Sequence, residues 1–151
     1  MRLHTSAWMF QANPKEYNLL GALNDPEVGN TVHWTVNQYS DQIKSGHFGI
    51  IWMSEPNAGI YAIANIVSNP AKMKESEAEK RYWLDSSRTV EMALRVEMYI
   101  THNLTDKPIL KTKLHHTAGL SNLLILRQPQ STNFPVTDSE WKIIWQLISG
   151  L

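Results

Sequence analysis

The sequence predicts an α+β fold, in which a small mixed, curved sheet or open barrel is flanked by helices. Three features support this prediction: an apolar hairpin over residues 49–67, an alternating strand over residues 89–100, and an amphipathic helix that follows residue 137. A chain of 151 residues with 42% hydrophobic content can bury one core. We see no repeat, low-complexity tract or linker, so we expect a single domain over residues 1–151.

The N-terminal part predicts a strand and then a helix. Residues 7–11 are largely apolar and predict the first strand. Asn13 is a good helix N-cap and Pro14 suits the first helical position. Glu16 can reach back to that cap, so we expect a helix from Asn13 to about residue 24. The next segments are predicted as a loop at residues 26–33, a loop or turn around Trp34, and a short helix at residues 38–45.

The middle of the chain carries the strongest strand signals. Residues 49–53 and 58–67 are apolar, β-branched and aromatic and flank a Pro-Asn turn, which predicts a hairpin. Both faces of the second strand are mostly apolar, so we expect it to be covered on both sides. Residues 71–82 mix basic and acidic side chains and predict a solvated loop or loose helix. Residues 89–100 alternate in polarity and predict a half-exposed strand of about twelve residues.

The C-terminal part ends in the clearest helix. Residues 106–116 are predicted as irregular, residues 120–126 as a short helix that continues into a strand, and residues 128–135 as a polar loop. Thr137 and Glu140 form a capping-box pattern, and Gly150 suits the C-terminal cap. Trp141, Ile144, Trp145 and Ile148 repeat at helical spacing, so both tryptophans are interpreted as core residues.

Composition excludes several classes of protein. Fourteen basic residues balance fourteen acidic ones, so the global charge of a nonspecific nucleic-acid binder is absent. The chain has no cysteine, which excludes disulfides and cysteine-based zinc sites and fits a reducing compartment. We find no signal peptide and no apolar stretch of ~18 residues. We therefore expect a soluble, cytoplasmic protein without a cofactor, a bound metal or a membrane partner.

A ligand pocket is expected at the loop end of the hairpin. The hairpin brings Trp52, Ser54 and the backbone of Gly59 together. Six tryptophans in one small domain make an aromatic ligand site worth considering. Trp8, Asn13, Trp34 and the stretch from Gln130 to Phe134 would be brought to this pocket from elsewhere in the chain.

The same residues resemble a known family. The matching stretches run in the family's order from Trp8 to Lys15, Trp34 to Asn37, Ile51 to Ser54, Ala58 to Ile63 and Leu126 to Phe134, together with Gly46. The chain is similar to the EVE domain of the PUA-like superfamily, which includes the thymocyte nuclear proteins. It departs from the family at His47, where Asp is frequent, and at Ser131, where Gly is frequent.

This resemblance implies a PUA-like pseudo-barrel that binds rather than catalyses. EVE domains are similar to YTH domains, which hold a methylated adenine in an aromatic cage, and are thought to read modified bases, including modified cytosines. The implied partners are DNA or RNA carrying modified bases and, in prokaryotes, proteins of restriction systems. A flipped base needs aromatic faces and polar groups at its edge. The candidate walls are Trp34 and Trp52, and the candidate edge readers are Gln11, Asn13, Ser54 and Asn133.

Each of these assignments has a plainer alternative. Trp8 and Trp52 can be core residues, Asn13 can be only a cap, and Asn133 can simply satisfy its loop. A basic patch could contact nucleic-acid phosphates or could be solvated surface, and its members are Lys107, Lys111, Lys113, His115 and Arg127. Two other functions stay open: a small hydrolase acting on a modified nucleoside, and a protein-interaction adaptor.

Overall fold

The computed structural model describes residues 6–85 and 92–150. Eight strands in these residues belong to one sheet, and no helix in them has the length and apolar character needed to cross a membrane. The strands are β1 (Ala7–Ala12), β2 (Thr31–Thr35), β3 (Phe48–Met53), β4 (Gly59–Ile66), β5 (Ala71–Met73), β6 (Ala93–Asn103), β7 (Ile109–Leu110) and β8 (Asn133–Val136). The helices are α1 (Leu19–Leu23), α2 (Glu77–Lys80), α3 (Lys111–His115), α4 (Leu124–Arg127) and α5 (Asp138–Ser149).

The sheet is mixed and curves into a half-barrel. Its main path runs β2-β6-β4-β3-β1-β8, while β5 pairs with β6 and β7 pairs with β4. Strands β1 and β3 are parallel, and every other pair is antiparallel. This architecture confirms the predicted α+β class and the curved mixed sheet. It leaves β2 and β8 as the two ends of the path, and how these ends meet decides the shape of the site.

Two hydrophobic clusters cover the two faces of the sheet. Successive side chains of a strand point to opposite faces, so Trp8 and Phe10 enter one cluster while Met9 enters the other. The second cluster lies under the C-terminal helices and includes Ile144 and Ile148 of α5. Burial of seven of the eight β4 residues confirms that this strand is covered on both sides.

The strongest sequence patterns are confirmed. β3 and β4 form the predicted antiparallel hairpin, with Met53 opposite Gly59. The Thr137 side chain accepts a hydrogen bond from the Glu140 backbone N–H, and the Glu140 side chain accepts one from the Thr137 N–H. α5 therefore begins with the predicted capping box, and Gly150 is its C-terminal cap.

The helix predicted to start at Asn13 begins later, at Leu19, with Asn18 as its N-cap. The Asn13 side chain instead accepts a hydrogen bond from the Lys15 backbone N–H in a turn. Backbone bonds from the Asn18 N–H to Tyr82 and from the Leu84 N–H to Glu16 hold the preceding residues against the chain near Trp83. These long-range bonds replace the local bonds that a helix would need, so the predicted helix is confirmed over residues 19–23 and its predicted start at Asn13 was wrong.

Two further predictions around Trp34 were also wrong. Trp34 lies in β2, not in a loop, because residues 31–35 pair with β6. Pairing with a distant strand supplies backbone partners even where the sequence has no clear period. Residues 38–45 form turns without a regular helix.

The segments predicted as polar loops are more ordered than expected. Within residues 71–82 the chain forms β5 and α2, and Glu75 and Glu79 are buried. Residues 133–136 form β8, and the strand expected after residue 126 is absent from the described residues. Trp145 is 38% exposed, so its assignment to the core was wrong, whereas Trp141 packs partly buried on the second cluster. Residues 89–91 of the predicted long strand lie outside the described residues.

Replacing Thr137 by Ala should destabilise the protein by about 1 kcal/mol, because the cap of α5 loses its side-chain acceptor. Urea unfolding followed by circular dichroism measures this as a lower midpoint with an unchanged slope. The exposed Ser121 offers a matched control, since Ser121→Ala should leave the midpoint in place. Equal midpoints for the two variants would contradict the role of the cap.

Candidate functional site

One large cleft lies at the end of the barrel where β1, β2 and β3 end and where β6 and β8 begin. Its volume is about 630 Å³, which is in the range of small-molecule sites. We call it the end cleft. Its lining residues include Gln11, Asn13, Tyr17, His33, Trp34, Thr35, Asn37, Ser54, Glu75, Trp83, Arg95 and residues 129–132.

Three aromatic side chains form one wall of the end cleft. The centroid of the Tyr17 ring lies 6.1 Å from that of Trp34 and 5.0 Å from that of Trp83, with edge-to-face geometry in both pairs. Tyr17 is buried, and its burial raises the pKa of its phenol far above the usual range, so the ring is neutral. Trp34 and Trp83 are only partly buried and offer apolar surface to a ligand.

Three polar side chains that line the end cleft have donor or acceptor atoms without a partner among the described residues. Asn13 Oδ1 accepts from the Lys15 N–H, but its Nδ2 has no partner among the described residues. Gln11 Nε2 donates to the carbonyls of Pro129 and Ser131, which fixes the side chain and leaves its oxygen as an acceptor. The Ser54 hydroxyl has no partner within the described part of the chain either. The structure thus brings Gln11, Asn13, Trp34 and Ser54 to one cavity.

A buried charged cluster also reaches the end cleft. Trp83 Nε1 donates to Glu75 at 3.0 and 3.1 Å from its two carboxylate oxygens. Arg95 Nη2 lies 3.6 Å from Glu75 Oε1, and its Nη1 donates to the Met73 carbonyl. Burial raises the pKa of Glu75, although the Trp83 hydrogen bond and the charge of Arg95 act in the opposite direction.

His33 and Glu79 form a close pair beside this cluster. His33 Nδ1 lies 2.6 Å from Glu79 Oε1, and the His33 backbone N–H donates to Glu79 Oε2 at 2.8 Å. The hydrogen bond with Glu79 raises the pKa of His33. Burial of Glu79 opposes its ionisation, but the bonds from His33 outweigh burial and lower the pKa of its carboxyl. Among the described residues no group of three or more His, Asp or Glu side chains could hold a metal ion.

Two amide side chains join the ends of the sheet beside the end cleft. Asn133 Oδ1 accepts from the backbone N–H groups of Asn37 and Gln38, and Asn133 Nδ2 donates to the Thr35 carbonyl. In return, Gln38 Oε1 accepts from the backbone N–H groups of Thr132 and Asn133. We call this pair the amide clamp. It connects the residues that follow β2 to the start of β8, although these two strands do not pair.

The structure does not bring five of the predicted ligand residues to the end cleft. Trp52 and Phe134 are 3% and 1% exposed and pack in the cluster under the helices. Trp8 is 1% exposed and donates its indole N–H to His47 at the other end of β1. Asn133 is fully buried in the amide clamp. A Cβ at Gly59 would lie 2.5 Å from the Ile109 carbonyl oxygen, so glycine is needed there for the approach of β7.

The predicted basic residues lie beside the end cleft or farther away, and none lines it. Lys111 Nζ lies 3.2 Å from Glu55, which follows Ser54 in the hairpin loop. Arg127 ends α4 and directly precedes the loop of residues 128–132. Lys107, Lys113 and His115 are exposed, and no contact within the described part of the chain ties them to the cavity.

The sequence analysis missed several side chains that line the end cleft, namely Tyr17, His33, Glu75, Trp83 and Arg95. Glu75 and Trp83 lie in or next to a segment whose mixed charges predicted solvated structure. Arg95 lies among the polar positions of the half-exposed strand predicted over residues 89–100, yet it is 3% exposed. The only local signal was the Tyr82-Trp83 pair, because two aromatic residues are unusual in a solvated loop.

The fold and the end cleft define a small half-barrel domain with an aromatic-walled cavity at one end. The EVE domain family model matches residues 6–147, and the chain therefore belongs to this family. No curated protein is a significant match to the sequence.

Solved structures of several organisms share the fold. A hypothetical protein from Leishmania major is 15% identical, with a TM-score of 0.66 over 99% of this chain and 96% of that one. Rpa0253 from Rhodopseudomonas palustris is 15% identical, with a TM-score of 0.65 over 97% and 94% of the two chains. Human THYN1, solved in complex with DNA containing 5-methylcytosine, is 16% identical, with a TM-score of 0.62 over 95% and 97%.

Asn133→Ala should lower the free energy of unfolding by about 2–3 kcal/mol. The reason is that backbone groups of Thr35, Asn37 and Gln38 each lose the Asn133 side chain as their hydrogen-bond partner. Urea unfolding measures the change. Asn122, which is exposed, provides the control, and Asn122→Ala should be nearly neutral. If the two variants unfold at the same urea concentration, the amide clamp does not stabilise the barrel.

The His33–Glu79 pair should make stability depend on pH. The folded-state pKa of His33 lies above its unfolded value of 6.5, so the stabilisation is complete below that pH and is lost as pH rises through the folded-state pKa. Urea unfolding of the wild type and His33→Asn from about pH 6 to about pH 9 should show a difference that shrinks with rising pH. His115→Asn, the same change at an exposed histidine, serves as the control. A stability difference between wild type and His33→Asn that stays constant with pH would contradict the pairing.

Proposed function

We propose that this protein is a non-catalytic nucleic-acid-binding module that takes a modified base, flipped out of a DNA or RNA strand, into the end cleft. The observation that carries the proposal is the combination of Trp34 and Trp83 as aromatic surfaces with free hydrogen-bonding groups on Asn13, Gln11 and Ser54. A flipped base presents a flat face for stacking and a polar edge for hydrogen bonds, and this cavity offers both.

Family membership and a structural neighbour point to the same ligand class. The chain belongs to the EVE domain family, and human THYN1, which shares the fold, was solved with DNA containing 5-methylcytosine. The size of the cavity is also suitable, since about 630 Å³ accommodates a base with its sugar.

Electrostatic contacts with the strand would come from the edge of the end cleft. Lys111 lies beside the hairpin loop, and Arg127 lies at the start of the loop that lines the cavity. We propose these two residues as phosphate contacts, with Lys107, Lys113 and His115 as more distant members of the same basic patch. Because the chain has no net charge, such contacts have to be local, and their contribution should fall as salt rises.

Trp34→Ala should weaken binding of the preferred modified base by about 5- to 150-fold, because stacking is worth ~1–3 kcal/mol per base. Fluorescence anisotropy with labelled oligonucleotides measures the change. The panel contains single and double strands with plain, 5-methylated and 5-hydroxymethylated cytosine and with adenine or N6-methyladenine. The preference should be lost, while the overall fold by circular dichroism should be retained.

Trp145 on α5 provides the matched control, because it is exposed and does not line the end cleft. Trp145→Ala should leave the base preference unchanged. An affinity that is equal for all bases and is lost at moderate salt would mean that the protein binds only the phosphates. Chromatography of the recovered oligonucleotides separates binding from hydrolysis, since a hydrolase would alter the base. Failure to bind any oligonucleotide at low salt would contradict the proposal.

A further inference from the structure

A buried carboxylate in the lining of the end cleft, that of Glu75, is fixed from two directions. Trp83 Nε1 donates to both oxygens of Glu75, and Arg95 Nη2 lies 3.6 Å from one of them. The side chains of Glu75 and Arg95 are only 5% and 4% exposed. A carboxylate that is both buried and held in this way has a defined position before any ligand arrives, so it can discriminate by geometry.

Glu75 keeps hydrogen-bonding capacity that its partners do not use. An ionised carboxylate offers about four acceptor positions and no donor. Among the described residues its side chain is contacted by the single N–H of Trp83 and by Arg95. Because Glu75 also lines the end cleft, its remaining acceptor positions can serve a ligand that offers an N–H group.

The charge balance favours a neutral donor over a cation. Aromatic walls beside a carboxylate could also receive a methylated ammonium group. Here, however, Arg95 lies 3.6 Å from Glu75 and lines the same cavity, so a cation bound at Glu75 would be repelled by the Arg95 guanidinium. A neutral amino group on a base edge takes the hydrogen bond without this repulsion. A carbonyl oxygen in its place would face the carboxylate and be repelled.

We propose that Glu75 selects bases that carry an exocyclic amino group, of the cytosine, adenine or guanine type, over the corresponding bases that lack it. This inference rests on the proposed function, since it assumes that a base enters the end cleft. The Trp83 ring provides one stacking surface, and its indole N–H orients the Glu75 carboxylate. The base plane and the acceptor for its amino group are thus positioned by the same side chain.

Matched pairs of oligonucleotides test the proposal in the wild-type protein. The pairs are 5-methylcytosine against thymine, adenine against hypoxanthine, and guanine against hypoxanthine, each in the same sequence. Within the pair that binds best, the amino base should bind about 10- to 100-fold more tightly. Equal binding within every pair overturns the proposal without the need for a variant. Absence of binding to every oligonucleotide would instead defeat the proposed function and this inference together.

Glu75→Gln separates direct recognition from positioning. Glutamine keeps the size and an acceptor for Trp83, but it adds an N–H donor that suits a carbonyl. The ratio of affinities between the amino base and its counterpart without the amino group should therefore fall about 10-fold, and it should fall furthest or invert where the counterpart carries a carbonyl. If Glu75 only positions Trp83, all affinities fall together and the ratio stays constant, and this result overturns the proposal. Glu77→Gln makes the same chemical change on an exposed residue of α2 and should leave the ratio unchanged.

Discussion

The amide clamp is the interaction on which the shape of the end cleft depends. The sheet path ends at β2 on one side and β8 on the other, and these strands share no backbone ladder. Asn133 and Gln38 close this gap with side-chain bonds to backbone groups of the opposite segment. Buried polar groups destabilise a fold unless they are hydrogen-bonded. The Asn133 and Gln38 side chains keep their partners only when the two segments hold this arrangement. The two loops that line the cavity are thereby held at a fixed distance.

A second polar network gives the cavity its opposite wall. Glu75 and Glu79 would be costly to bury alone, but Trp83, Arg95 and His33 supply hydrogen bonds and compensating charge. The same bonds hold the segment of residues 71–83 against β2 and β6, so it becomes a wall of the end cleft. Aromatic surface and fixed polar groups are therefore placed together before a ligand binds, which reduces the ordering cost of recognition.

Comparison of sequence and structure shows which sequence patterns are sufficient to predict local structure. The hairpin and α5 were predicted correctly because apolar periodicity, turn residues and a capping box all favour the same local structure. Gln11, Asn13, Trp34 and Ser54 were predicted for the site and do line the end cleft. The prediction of a helix start at Asn13 and of a loop at Trp34 failed because partners more than 60 residues away supply the backbone bonds.

The sequence by itself determined the class of fold, because local periodicity and turn chemistry favour one set of strands and helices. The resemblance of its short motifs to those of EVE domains indicated the family, and the loop of the hairpin indicated the end of the sheet at which a cavity forms. Only the tertiary structure decided which polar and aromatic side chains face that cavity. Strand parity buried Trp52 under the helices, and long-range ion pairs drew Glu75 and Arg95 inward. Burial of a charged or aromatic residue depends on partners that are distant in sequence, and local pattern carries no information about them.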